Sequence, residues 1–320
     1  MSDPLNILTW HVHGNYLYSL TQLPHEFFIP VRPDNSPGYA SLGNKIPWGE
    51  NVHMVKADHL KDRQFDCIIY QSRQVFEHDR HLLLTSDQQR LPCVYIEHNP
   101  PEPHPTETRH FFHHDHGILV HVTRYNALMW DSGHTPFKVI EHGVREVSDV
   151  LYTGDVERGI VVVNNLAMRG RRLGADIYGM ASRRIPLDLI GMGSESVGGG
   201  LGEVPNMAVP SFIARYRFFF SPIRYASLGL SLVEAMMAGM PVVGIAATEL
   251  PSVIENGVNG FVDHRVTSIL DVSRQLLDDR DLAKEWGVAA QRTARERFNI
   301  NRFIGDWQSL LNKLMRVKNV

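Results

Sequence analysis

Short apolar runs alternate with polar segments along the first half of the chain. NILTWHV, FDCIIYQS, LPCVYIEHN, GILVHVT and FKVIEHGV each end in a polar cluster, and this pattern predicts buried strands. Residues 30–56 carry proline, glycine and asparagine near turns and read mainly as loop. NPPEPHPTETRH, residues 99–110, is too rich in proline to hold a regular element in its middle. In the second half GIVVVNN predicts a buried strand, RRLGADIYGMASRR an amphipathic helix, LDLIGMG a second strand and RYRFFFSP a third. A helix and the strand PVVGIA follow. LPSVIENG predicts a short helix ended by Gly257, Asn259-Gly260 turns the chain into FVD, and from about Val266 the remainder reads as helix. Strands alternating with helices, twice over, imply an α/β chain of two Rossmann-like, doubly wound domains. The boundary is expected within 144–159, giving an N-terminal domain over 1–150 and a second over 151–300.

Composition narrows the class. At 320 residues, 43% hydrophobic and 21% charged, the chain is long enough for two domains with separate cores. A formal charge of −3 leaves no basic footprint for nucleic acid. Cys67 and Cys93 both fall in strand-like segments and are expected as buried thiols in a reducing compartment. MSDPLNILTWHVHGN lacks a basic region followed by an apolar core, so no signal peptide is expected. The longest apolar run, Ala235 to Ala247, is interrupted by Gly239 and Pro241 and is too short to span a bilayer. A cytoplasmic protein is expected, with room for peripheral contact at a membrane surface.

The stretch SPIRYASLGLSLVEAMMAGMPVVGIAATE, residues 221–249, sets one carboxylate, Glu234, inside an apolar helix. Parallel α/β sheets bind ligands at the carboxyl ends of their strands, where helix N-termini present backbone N–H groups. Gly229 opens the helix, which runs to about Ala238, and Gly239 and Pro241 end it. Glycine at the entrance allows a phosphate to approach the backbone. Glu234 lies about one turn further in, and its two oxygens match a vicinal diol such as that of a ribose. The competing expectation is that Glu234 caps a neighbouring loop or pairs with an arginine.

The segment from Phe219 through Val262 resembles the donor-binding segment of family-four (group 1) retaining glycosyltransferases, which have the two-domain GT-B fold. The shared pattern stands here as Ser221-Pro222, Gly229-Leu230, Glu234-Ala235-Met236, Gly239 and Pro241-Val242-Val243, followed by VIENGVNGFV. The resemblance implies two domains facing a cleft, with residues 301–320 forming a helix that crosses back to the first. It implies that Glu234 binds the ribose, and that residues 227–230, including Ser227, Gly229 and Leu230, offer backbone N–H groups to the donor. An acid is expected eight residues before Glu234, facing the donor sugar, but that residue is Ala226. Arg224, Tyr225 and Ser227 flank the gap, and none supplies a negative charge. The family's basic residue and glycine after the first strand of the second domain match Arg169-Gly170, with Arg171 following. Arginine suits a diphosphate because it binds in a forked manner. A solvated helix start is the alternative for RGRR.

Histidine is abundant, at 17 residues, and seven of these lie between positions 98 and 121. The run RHFFHHDHG, with His110, His113, His114, Asp115 and His116, matches no metal-ligand spacing, so no metal is expected and the run reads as a polar rim. His98 follows the strand LPCVYIE at the end where a site belongs, and the resemblance implies that it reaches the reacting sugar. A hydrogen-bonded loop histidine is the alternative. Glu97 is expected to point to the other face. His13 and Gly14, just after the first strand, suit acceptor or donor contact, although a plain turn is almost as good a reading. VIEHGV is similar to the segment leading to the second domain, which would put His142 and Gly143 on the cleft.

The resemblance implies a metal-independent hexosyl transfer from a nucleoside diphosphate sugar to an acceptor hydroxyl, with retention, His98 and Arg169 as catalytic residues, and no cofactor. The partners implied are the nucleotide-sugar donor and a glycan or lipid-linked acceptor, in bacterial envelope glycan or polysaccharide synthesis. A GT-B protein that binds nucleotide sugar without transfer, or a sugar-nucleotide epimerase, are the alternatives. Base, sugar, acceptor, linkage and oligomeric state are not encoded in any motif found.

Overall fold

The computed structural model describes residues 3–114, 116–146 and 150–317; Asp115 and residues 147–149 of the boundary segment lie outside them. The chain divides into two compact units. The first is Met1–Gly143 together with the chain from Asn301 onward, and the second is Val144–Ile300.

The first unit is built on seven parallel strands: β1 (Asn6–Thr9), β2 (Glu26–Val31), β3 (Val52–Lys56), β4 (Cys67–Tyr70), β5 (Cys93–Glu97), β6 (Gly117–His121) and β7 (Phe137–Val139). Their order in the sheet is β3-β2-β1-β4-β5-β6-β7. The winding reverses between β1 and β4, the position where doubly wound sheets open a crevice at the carboxyl ends of their strands. β4 is buried along its whole length, as is β5, which explains why their sequences read as continuous apolar runs rather than alternating ones. Cys67 and Cys93 are buried on these two strands and are not joined by a disulfide.

The second unit has five parallel strands: β8 (Val156–Val162), β9 (Leu187–Ile190), β10 (Tyr216–Ser221), β11 (Val242–Ile245) and β12 (Gly260–Asp263). The order β12-β11-β10-β8-β9 again reverses, here between β8 and β10. Phe218 and Phe220 point into one apolar cluster with Leu189 and Ile269, and Phe219 into another with Met236 and Val242, so β10 is covered on both faces. Arg217 is buried beside them because its guanidinium is spent on main-chain acceptors. Its Nε donates to the Gly154 carbonyl at 2.8 Å and its Nη1 to the Leu276 carbonyl at 3.1 Å. The chain closes with the helices Val266–Asp278, Arg280–Arg297 and Ile300–Val317. The last of these buries Phe303 and Trp307 in the first unit, where the Phe303 ring meets the edge of Tyr16 at 5.6 Å. No helix among the described residues is long and apolar enough to cross a membrane.

Several expected elements differ. Residues 30–56 hold β3 and the end of β2; β3 lies at a sheet edge, which leaves Met54 exposed and blurs the apolar signal. The strand expected over FKVIEHGV stops at Val139. The helix expected over RRLGADIYGMASRR is divided into a 3-10 turn, Gly170–Leu173, and a helix, Ala175–Ala181. Between them Gly174 has φ +82°, and a Cβ there would lie 2.0 Å from the Pro222 carbonyl oxygen. LPSVIENG forms only a 3-10 turn over Leu250–Ser252. Its proline fixes the start, and Asn259 ties down the rest, donating to the Val253 carbonyl and accepting from the Glu255 N–H.

Candidate functional site

The second unit opens a recess of about 440 Å³ at the reversal between β8 and β10. Val162 and Val163 contribute from the end of β8, Ser221 and Pro222 from β10, and Ser227 and Gly229 from the following loop. Gly229 is the N-cap of the helix Leu230–Met237 and gives it no side-chain cap. First-turn N–H groups have no intrahelical partner, so this end of the helix carries partial positive charge where Gly229 and Ser231 line the recess.

Three arginines tie the loop after β10 to the segment before the helix Ala175–Ala181. Arg224 grips Asp176 through both terminal nitrogens and donates through Nη1 to the Arg171 carbonyl at 2.7 Å. Arg171 is mostly exposed and reaches the same Asp176 at 2.7 Å. Arg172 donates to the Tyr225 carbonyl at 3.1 Å, and its own carbonyl accepts from the Arg224 and Tyr225 N–H groups. The loop after β10 is therefore laced to the Gly170–Leu173 turn. Arg169 is exposed at the end of the short helix Leu166–Arg169. Asp176 is the one carboxylate these contacts share, and the Arg224 hydrogen bonds hold its pKa down at about 2. Sequence reasoning missed Asp176, whose role depends on a residue 48 positions away.

Glu234 faces a second recess, of about 230 Å³, with Arg145, Pro210, Met237 and Ala238. Burial pushes its carboxyl up to about 7. Ser227, Gly229 and Glu234 thus belong to one loop and helix, but the first two line the larger recess and Glu234 the smaller. Leu230 begins the helix between them and packs against the apolar cluster beneath. Ala226 packs against the cluster that contains Phe220 and Val243.

In the first unit the structure brings three predicted histidines together at the reversal between β1 and β4. The His13 and His98 rings are 4.0 Å apart, and Tyr16 meets His98 edge-on at 4.7 Å and His142 at 5.9 Å. His98 Nε2 lies 3.1 Å from Gln71 Oε1. Burial, then His13 and His142, lowers the His98 pKa well below the ordinary imidazole value, so the ring is neutral at pH 7. His13 is the N-cap of the helix Gly14–Leu20, and a Cβ on Gly14 would press on the His11 ring at 3.3 Å. Gly143 has a packing reason: a Cβ there would lie 2.3 Å from Phe303. Its carbonyl accepts a hydrogen bond from the Ser19 hydroxyl at 2.9 Å.

The histidine-rich run is not simply a polar rim. His110 and His121 are buried. Glu97, turned to the face away from His98, accepts from the Asn99 N–H at 2.8 Å and pairs with His110 Nε2 at 3.1 Å. His114 meets the Gln89 carbonyl at 3.0 Å. Among the described residues no three His, Cys, Asp or Glu side chains are grouped as a metal ion would require.

Comparison with known proteins places this geometry. Residues 200–293 match the family model described as Glycosyl transferases group 1, a span that includes Gly229 and Glu234. The N-acetyl-alpha-D-glucosaminyl L-malate synthase of Bacillus anthracis is 29% identical over 92 residues, 28% of this chain and 24% of that protein. The match thus spans about a quarter of that curated relative's length. Among solved structures, sucrose-phosphate synthase from Thermosynechococcus elongatus superposes with TM-score 0.74 at 13% identity, over 98% of this chain and 100% of that one. HepE of Anabaena, solved with UDP and glucose, superposes with TM-score 0.68 at 14% identity, over 96% of this chain and 99% of that one. The chain has the GT-B fold, shared with these structures, and residues 200–293 of its second unit match the group 1 model.

Proposed function

We propose that the protein is a retaining, metal-independent glycosyltransferase that moves a hexosyl group from a nucleoside diphosphate sugar to an acceptor hydroxyl. The observation that carries this reading is the uncapped start of the helix Leu230–Met237 in a recess at the sheet reversal, with Glu234 further along the same helix. Five residues of helix rise roughly 7 Å, about the distance from a diphosphate to the diol of its ribose. The diphosphate would lie against the N–H groups at Ser227, Gly229 and Leu230, and the Glu234 carboxylate would accept from the two ribose hydroxyls.

As the bond between the anomeric carbon and the diphosphate oxygen breaks, its electron pair stays on that oxygen. Arg169, Arg171 and the helix start would stabilise the growing charge, and the acceptor oxygen forms the new bond from the same face while its proton passes to the departing phosphate. His98 would contact the transferred sugar, with His13, Gly14, His142 and Gly143 forming the acceptor side and Arg224 steadying the loop at the donor. The relative named as an N-acetyl-alpha-D-glucosaminyl L-malate synthase and the HepE structure solved with UDP support a nucleotide-sugar donor. Bacterial envelope glycan or polysaccharide is the proposed acceptor class, and the cytoplasm, with contact at a membrane surface, the proposed place.

Thermal unfolding with UDP, GDP, ADP, CDP and TDP, each with and without EDTA, tests the reading. A ligand at a hundred times its Kd adds roughly 2.7 kcal/mol. One diphosphate is expected to raise the midpoint regardless of EDTA, and Glu234→Ala to remove the shift. A protein that responds to none of the five lacks the donor site described. Ala226 favours one further reading, nucleotide-sugar binding without turnover, which product analysis with an acceptor separates from transfer.

A further inference from the structure

We propose that Thr248, a strained residue in the turn after β11, is a donor-binding residue whose N–H and hydroxyl both donate to a phosphate oxygen of the nucleotide. The inference rests on the reading of the larger recess as the diphosphate site, and it adds a contact from the end of β11.

Three non-glycine residues among those described have positive φ: Asn35, Asn165 and Thr248. Asparagine tolerates that backbone, whereas a β-branched side chain crowds it, so Thr248 at φ +50° is the outlier. The local cause is a tight turn. The Leu250 N–H donates to the Ala247 carbonyl at 3.2 Å, which makes Thr248 and Glu249 the two central residues. Glycine ordinarily takes a first central position with positive φ. What holds threonine there is the buried side chain of Glu249. It accepts from the Ser252 hydroxyl at 2.7 Å and from Arg297 Nη2 at 2.9 Å, while the Ser252 N–H donates to the Glu249 carbonyl at 3.0 Å. Strain of this kind persists only where the surroundings over-determine it, and it gathers at ligand clamps.

The turn stands at the recess. Gly244 of β11 is paired with Ser221 of β10, so closely that a Cβ on Gly244 would lie 2.7 Å from the Ser221 carbonyl oxygen. The chain leaving β11 therefore brings Ala247 and Thr248 into the same lining as Ser221, Ser227 and Gly229. Among the described residues neither the Thr248 N–H nor its hydroxyl has a hydrogen-bond partner. Glu249 follows at φ −75° and ψ −21°, and a left-handed residue before a right-handed one turns main-chain N–H groups towards an anion. The Glu249 carboxylate is paired with Arg297, so it does not stand as an uncompensated charge beside that anion. A phosphate oxygen has lone pairs enough to accept from both donors.

The test is isothermal titration of the full-length protein with whichever of UDP, GDP, ADP, CDP and TDP binds the wild type, alongside thermal unfolding without ligand. Thr248→Val keeps the shape and removes the hydroxyl. It is expected to weaken the diphosphate about tenfold, the loss of one hydrogen bond to a charged group. Thr248→Gly is expected to weaken it likewise and yet to raise the unliganded midpoint by about 2 °C, because the strain goes with the side chain. Thr248→Ser keeps the hydroxyl and is expected to bind as the wild type does. A turn serving only the fold would move the midpoint and leave affinity alone. Wild-type affinity in Thr248→Gly and Thr248→Val overturns the inference, and so does a Thr248→Ser that binds as weakly as they do. A Thr248→Gly midpoint below that of the wild type overturns the strain on which it rests. If Thr248→Val does not fold, Thr248→Gly and Thr248→Ser carry the test. A wild type that binds none of the five overturns the donor-site reading and this inference together. Binding lost in Glu234→Ala but kept in Thr248→Gly overturns this inference alone.

Discussion

Arg224 and Asp176 form a two-pronged pair, Nη1 to Oδ1 at 2.6 Å and Nη2 to Oδ2 at 2.7 Å, that bolts the loop after β10 onto the helix Ala175–Ala181. Asp176→Asn keeps the shape and removes the charge. It is expected to lower the thermal midpoint by about 2–4 °C, the response to a loss of about 1 kcal/mol in a unit of this size, and to weaken nucleotide binding through the loosened loop. Thermal unfolding with and without nucleoside diphosphate measures both.

The same pair sets an acid response. The Asp176 pKa is lowered from 3.8 to about 2, so its contribution is full above 3.8 and is lost as pH falls towards 2. Over that window the wild-type midpoint is expected to fall more steeply than that of Asp176→Asn.

Glu234 has the opposite sign. Its pKa is raised from 4.5 to about 7, so the folded protein holds a proton that the unfolded chain has released, and stability declines as pH rises from 4.5 to 7. Glu234→Gln is expected to flatten this decline. If the ionised carboxylate binds the ribose diol, nucleoside diphosphate affinity rises through the same range in the wild type and stays level in Glu234→Gln; isothermal titration at several pH values reads it.

Gly174→Ala forces a side chain into a left-handed backbone against the Pro222 carbonyl. It is expected to cost about 2 kcal/mol or more in chemical denaturation and to reduce nucleotide binding, because both loops at the recess must shift.

Cys67 and Cys93 are both buried in paired strands, where Cys93 pairs with Ile68, and burial raises the Cys93 thiol far above its ordinary pKa. Neither is expected to react with iodoacetamide in the native protein, and both in denaturant, as read by mass.

The buried strands and the helix after Gly229 were legible because their patterns are local. β10 announces itself through three consecutive phenylalanines, and Glu234 through its isolation among apolar neighbours. What was not legible depends on distant partners. Asp176 looks like any helical aspartate until Arg224 arrives, and Gln71 like a loop glutamine until Trp10 and His98 close around it. Gly174 sits inside a helical pattern, and only the approach of Pro222 explains the break. Nor does a histidine-rich run reveal that His110 turns inward to meet Glu97 while its neighbours do not.

The first unit is discontinuous in the chain, since Phe303 and Trp307 are part of its interior. During synthesis, its seven strands emerge long before the helix that finishes it, with residues 144–300 made in between. Tyr16 and the space beside Gly143 gain the Phe303 ring only after that interval. A chain cut short before Phe303 would therefore lack the ring that packs on Tyr16 and fills the space beside Gly143.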